Sequence, residues 1–203
     1  MAEWGVPLED PEHARKACLA AILQLEALDA LNAQIEEESG ISLAVRMGIN
    51  SGQVSAGNMG SEKRFQYTVM GDAVNLAARL EPANKEYGSR IIIGEKTYAA
   101  LPEGEFATRL LDKIVVKGKT EPIDIYELIY PVSQSGPWVK DYEAGLHAMW
   151  SRKWDEAEAC FQSSLAAHSR DLACKSMLRR LEDLRADPPT EGWNGAYIRT
   201  SKD

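Results

Sequence analysis

Near the start of the chain, Ala14, Ala17, Cys18, Ala21, Leu25, Leu28 and Leu31 recur at three- and four-residue steps. That spacing predicts a helix with one apolar stripe. Asp10 before Pro11 has the chemistry of an N-cap followed by a proline at the first helical position. The acidic run Glu36-Glu37-Glu38 and Gly40 close the helix. Leu43, Val45, Met47 and Ile49 then alternate with small or polar residues, as in a strand with one buried face. Asn50-Ser51-Gly52 has turn chemistry, and 54–57 reads as a returning strand. A further strand is expected over 65–70, and a helix opens at Gly71-Asp72. Pro82 ends or bends that helix, and Gly88 stops it. Residues 90–93 form a short buried strand, and a small helix follows over about 95–101. Two strands cover about 107–116 and 122–129, joined through Lys117-Gly118-Lys119. Helices inserted between the strands of a sheet make an α+β architecture, with the helices expected on one face.

After Pro131 the pattern changes. Prolines at 131 and 137 punctuate a polar break, and everything beyond reads as helix until a proline-rich tail. The expected organisation is a mixed region over 1–130, a linker over 131–137, a helical extension over 138–186 and a tail over 187–203. Gly145, Ala157 and Phe161 fall at the small, small and aromatic spacing of a tetratricopeptide helix pair, with Trp154 opening the second helix. A plain amphipathic extension packed on the first region fits the same pattern.

Composition narrows the function classes. The 203 residues are 44% hydrophobic and 27% charged, as in a soluble globular chain. The continuous apolar runs are too short to span a bilayer, and the first residues lack the basic start and apolar core of a signal peptide. The three cysteines, Cys18, Cys160 and Cys174, are far apart and form no CxxC. They suggest neither a disulfide framework nor a zinc site, and fit a reducing cytosol. A formal charge of -8 argues against general nucleic-acid or anionic-membrane binding, but leaves room for a small anionic ligand held by a few cations.

The densest group of unusual residues is 67–81, YTVMGDAVNLAARLE. Asn75 and Arg79 are four apart and share one helix face, while Ala73, Ala77 and Leu80 form the packing side. Arg forks onto phosphate oxygens, and Asn both donates and accepts, so the pair suits a ligand with hydroxyls and phosphates. By spacing alone a solvated polar face is the commoner meaning of such a pair. Lys117 and Lys119 could hold a polyphosphate as point charges, or simply decorate a turn. The glycines at 48, 52, 57 and 60 match neither a Walker loop nor a dinucleotide fingerprint. His13, His147 and His168 have no ligand-type partner one turn away and read as surface or structural residues.

The run VRMGINSGQVSAGNMGSEKRFQYTVMGDAVNLAARLE at 45–81 resembles the later part of the class III adenylate/guanylate cyclase catalytic domain. Met1 to Gly5 with Pro7 resembles a strand end of that family, and VKGKTEPIDIYEL at 116–128 resembles its closing hairpin. The resemblance spans about 1–128 and implies a ferredoxin-like α+β fold acting as a head-to-tail homodimer, with active sites between subunits. By position, Asn75 would orient the ribose and Arg79 would stabilise charge on the α-phosphate. Lys117 would hold the terminal phosphates, and Thr68 would stand where the base is read. Threonine there favours ATP over GTP.

The same resemblance implies that the first strand and helix of the domain, with both metal-binding aspartates, precede Met1. Mg²⁺ or Mn²⁺ would serve the intact family enzyme and would not bind tightly here, since two-metal catalysis needs carboxylates to fix the ions. The chain then reads as the C-terminal part of an adenylate cyclase that does not by itself cyclise ATP. The alternative is a non-catalytic module that pairs with a cyclase or docks a protein through its helices. The tail, Asp187-Pro188-Pro189 with Trp193, Gly195, Tyr197 and Thr200-Ser201-Lys202, resembles the end of bacterial receptor-type cyclases. That implies a cytoplasmic segment of an inner-membrane parent, itself touching neither membrane nor nucleic acid.

Overall fold

A computed structural model of the chain describes residues 1–61, 64–116 and 121–198. In chain order the elements are α1 (His13–Ser39), β1 (Met47–Ile49), β2 (Ser55–Ser61), β3 (Arg64–Met70), α2 (Asp72–Tyr87), β4 (Ile91–Gly94), α3 (Glu95–Ala99), β5 (Thr108–Val115) and β6 (Ile123–Leu128). A 3-10 turn at Val132–Gln134 leads into α4 (Trp138–Trp150), α5 (Trp154–Ala167), α6 (Leu172–Ala186) and β7 (Tyr197–Ile198).

Five strands make one sheet in the order β1-β4-β6-β5-β7, parallel at its two outer pairs and antiparallel within. The alternation of strand residues divides the core in two. Ile91, Ile93 and Leu128 face α1 through Cys18, Ala21 and Leu25. Ile92, Ile114 and Ile125 face α2 and the C-terminal helices through Leu80, Ala83, Tyr142, Phe161, Met177 and Leu181. The mixed α+β class therefore holds, but helices cover both faces rather than one. The four residues of β4 are buried on both sides, so they demand two covering layers.

Several boundaries differ from expectation. Helix α1 starts at His13, after Glu12. Asp10 accepts from the Glu12 amide at 3.0 Å and pairs with Lys16 instead of capping the helix end. The strand expected over 43–49 is real only at Met47–Ile49, where β4 supplies partners. Further back, the backbone of Leu43 is taken by the Asn32 side chain, which donates to its carbonyl and accepts from its amide, both at 2.8 Å. The returning strand pairs with β3 in a separate hairpin, from Ser55 against Met70 to Ser61 against Arg64. The strand end read at the first five residues is absent, and that segment runs without regular structure. Helix α1 is also long and apolar enough to cross a bilayer by length and composition, which the run lengths did not suggest. Here one side of it is packed on the sheet.

The C-terminal helices share the sheet's core and are held to it by buried charge. Arg109 of β5 donates to Glu127 at 2.7 Å and forks onto Asp171, ahead of α6, at 2.6 and 3.0 Å. Its guanidinium lies between the rings of Trp138 and Tyr142, 4.8 and 4.5 Å from their centroids. Within the extension, α4 and α5 meet where Gly145 leaves room for the Phe161 ring; a Cβ on Gly145 would stand 2.6 Å from it.

Candidate functional site

Helix α2 is placed by backbone contact rather than by large side chains. Gly48 of β1 lies directly beneath it: a Cβ there would overlap the Ala77 carbonyl and stand 2.5 Å from the Glu81 amide nitrogen. Asn50 donates to the Ala73 carbonyl at 3.1 Å and so fixes the first turn. At the other end Asn84, fully buried, donates to Met47 O of β1 and to the carbonyls of Leu80 and Glu81. Pro82 removes an amide from the helix interior. The Asn84 carboxamide bridges that point, and α2 continues to Tyr87, where Gly88 ends it at φ 70°. Gly71 joins β3 to α2 at φ 149°, with its carbonyl accepting from Val74 and Asn75.

On this fixed helix Asn75 is exposed and Arg79 partly exposed, one turn apart. Ala73 and Ala77 point to the other side and line a cleft of about 1330 Å³. Thr68 of β3, opposite Gly57, is half-buried and faces away from its buried neighbour Val69, which lines the same cleft. The three described candidates thus lie off the cleft side of the chain. Lys117, the fourth, lies outside the described residues.

The cleft opens between the first six residues, the start of α1, the free side of β1, residues 50–54 and α2. Near it runs a chain of hydrogen bonds that no sequence pattern signals, since its members are 38 and 46 residues apart. The His13 ring meets Asp10 O at 3.0 Å and Ser51 Oγ at 3.1 Å, and Ser51 Oγ meets Thr97 Oγ1 at 3.0 Å. The two ring nitrogens meet a backbone carbonyl and a hydroxyl rather than a carboxylate, so the chain ties α1, the 50–52 turn and α3 together without forming a nucleophilic triad. Among the described residues no three His, Cys, Asp or Glu side chains converge to hold a metal ion. The described residues therefore offer no converging donor set for the divalent ions that the resemblance implies.

Comparison with known proteins fits this geometry. The profile described as "Adenylate and Guanylate cyclase catalytic domain" matches residues 1–129. The chain is 36% identical over 129 residues to adenylate cyclase 1 of Rhizobium meliloti, covering 63% of this chain and 19% of that protein. It is 44% identical over 116 residues to the adenylate cyclase of Anabaena cylindrica, covering 54% and 23%. The chain thus spans less than a quarter of the length of these relatives. Among solved structures, the adenylyl cyclase CyaB from P. aeruginosa superposes with a TM-score of 0.58 at 32% identity, over 66% of this chain and 68% of that one.

Proposed function

The chain belongs to the adenylate and guanylate cyclase catalytic domain family, and on that premise we propose that it supplies the nucleotide-contacting half of a composite adenylate cyclase site. The observation that carries this reading is the placement of Asn75 and Arg79 one turn apart on α2, directed away from the chain's own cleft. Side chains turned outward in this way serve a site completed by a second cyclase domain, in a dimer. In the reaction the ribose 3′-oxygen bonds to the α-phosphorus, its proton leaves, and the bond to the β-phosphate oxygen breaks to release pyrophosphate. Arg79 spreads positive charge over the α-phosphate oxygens as they gain negative charge, and Asn75 holds the ribose in line for attack. Thr68 reads the adenine, and Lys117 holds the departing phosphates. The adenylate cyclase names of the relatives support ATP over GTP. Because no donor set for a divalent ion converges among the described residues, the 203 residues alone make little cyclic AMP. The α4–α5 pair is a single tetratricopeptide-like unit, on the strength of the Gly145–Phe161 contact.

The test is titration of a fluorescent ATP analogue into the full chain. A charge-assisted hydrogen bond contributes about 1.5–3 kcal/mol, so Arg79→Ala should weaken binding roughly 10- to 150-fold. Unlabelled ATP should displace the probe better than GTP. Unchanged affinity in an Arg79→Ala variant that keeps its helical content would overturn the reading.

A further inference from the structure

Residues of the C-terminal helices reach the end of α2. Arg180 of α6 donates to Asp112 of β5 at 2.7 Å, and the Tyr87 hydroxyl at the last turn of α2 donates to the same carboxylate oxygen, also at 2.7 Å. Asp112 is fully buried, as is Tyr87, and the Arg180 side chain is 12% exposed. The second fork of Arg180 lies 3.8 Å from Glu86, and Ser176 of the same helix donates to the Glu86 carbonyl at 3.4 Å. The Tyr197 ring closes over the guanidinium at 3.8 Å. Beside this cluster Leu172 packs so tightly on Gly88 that a Cβ there would stand 2.8 Å from it. The last turn of α2 is therefore gripped by α6, while its middle rests on Gly48.

Helix α2 is tied to β1 by the Gly48 contact and by Asn84, to Asn50 at its first turn and to α6 at its last, so α6 is one of the supports that set its angle. Glu86 and Arg79 are seven residues apart, two turns along the same stripe and about 10 Å by helical rise. Asn75 lies one turn further. Asn84 spans the Pro82 break, so motion at the gripped end passes the proline. Loss of the Arg180 guanidinium would leave the Asp112 carboxylate buried with two neutral donors, the Tyr87 hydroxyl and the Lys113 amide, and with no cation on it. Such a group draws in water or a proton, and either outcome displaces Tyr87.

We propose that Arg180 is a positioning residue for Asn75 and Arg79, and that the C-terminal helices thereby set the geometry of the nucleotide-facing helix. This rests on the reading of α2 as the nucleotide contact. It assigns the helical extension a working connection to the site, one in which anything that shifts α6 shifts the site.

The test is a double-mutant cycle in the full chain, with fluorescent ATP analogue affinity as the readout. Couplings carried through packed networks are modest, so Arg180→Ala should weaken binding about 10-fold. Its effect should shrink to within about twofold when Arg79→Ala is already present, because both act through one contact. Arg180→Lys should recover part of the loss, and Arg185→Ala, which breaks two surface ion pairs from the same helix to Asp155 and Glu158, should leave affinity unchanged. Hydrogen exchange gives a second readout that needs no ligand: amides of 72–80 should exchange faster in Arg180→Ala, with β4 and β6 unaffected. Equal effects of Arg180→Ala with and without Arg79, or unchanged exchange over 72–80, overturn the positioning role alone. Loss of nothing on Arg79→Ala overturns instead the reading beneath it.

Discussion

Replacing Arg109 by alanine tests whether the catalytic-family region and the helical extension are one cooperative unit. The guanidinium is 3% exposed and is paired with two acids, Glu127 on β6 and Asp171 at the start of α6, which are 15% and 2% exposed. Asp171 also caps α6 by accepting from the Ala173 amide at 3.1 Å. Burial disfavours the charge on Arg109, and Glu127 and Asp171 more than restore it, so it stays protonated. Removing one partner of a buried ionic cluster costs about 3–5 kcal/mol, because the remaining charges keep their desolvation penalty. A chain of this size loses roughly 2–4 °C of Tm per kcal/mol, so Arg109→Ala should melt roughly 6–20 °C lower. Four of the five tryptophans lie beyond residue 137, at 138, 150 and 154 in the extension and at 193 in the tail. Their fluorescence should therefore fall in step with far-ultraviolet circular dichroism, in a single transition. Acid should narrow the deficit. Burial already pushes the Glu127 carboxyl up despite Arg109. A carboxyl raised in the folded state binds its proton more tightly there, so the folded variant gains stability as pH falls through that value. Separate fluorescence and dichroism transitions, with only the first shifted, would refute a shared core.

Two other outcomes follow from packing and burial. Gly48→Ala should force α2 off β1, lower stability by about 1–3 kcal/mol as other overpacked sites do, and abolish nucleotide binding; a stable variant with parental affinity would show that the backbone contact is dispensable. Alkylation at pH 8 should modify Cys160 first. Burial raises the thiols of Cys18 and Cys174 to about 12 and about 11, leaving thiolate fractions of roughly 10⁻⁴ and 10⁻³. Mass spectrometry should find those two labelled only on unfolding, and their rapid labelling in the native chain would contradict the packing described.

The pattern of the sequence predicted what depends on local periodicity. The stripe from Ala14 to Leu25, the alternation at Met47–Ile49 and the glycine stops at 40 and 88 all reappear in the structure. What it could not show depended on distant partners. Residues 41–46 have strand-like alternation but no strand beside them, and the Asn32 side chain takes the Leu43 backbone instead. The parallel addition of β7 to β5 joins positions more than 80 residues apart, and a two-residue strand carries no pattern. Of the site, Asn75 and Arg79 were legible because four residues make one helical turn. The supports beneath them were not: Gly48 looks like a turn residue until Ala77 is seen above it, and Arg180 is one of many charges on an amphipathic helix until Asp112 is found buried beside it.

Under the proposed function, Arg79 completes a cyclase site made by two domains. The direct measurement is cyclic AMP formation from ATP in a mixture of this chain with a family cyclase domain that keeps its metal-binding carboxylates but has lost its own α-phosphate arginine. Neither component should be active alone, the mixture should be active, and Arg79→Ala in this chain should remove the activity. A stable complex with no cyclic AMP, or activity that survives Arg79→Ala, would contradict the proposed function and leave the chain as a docking module.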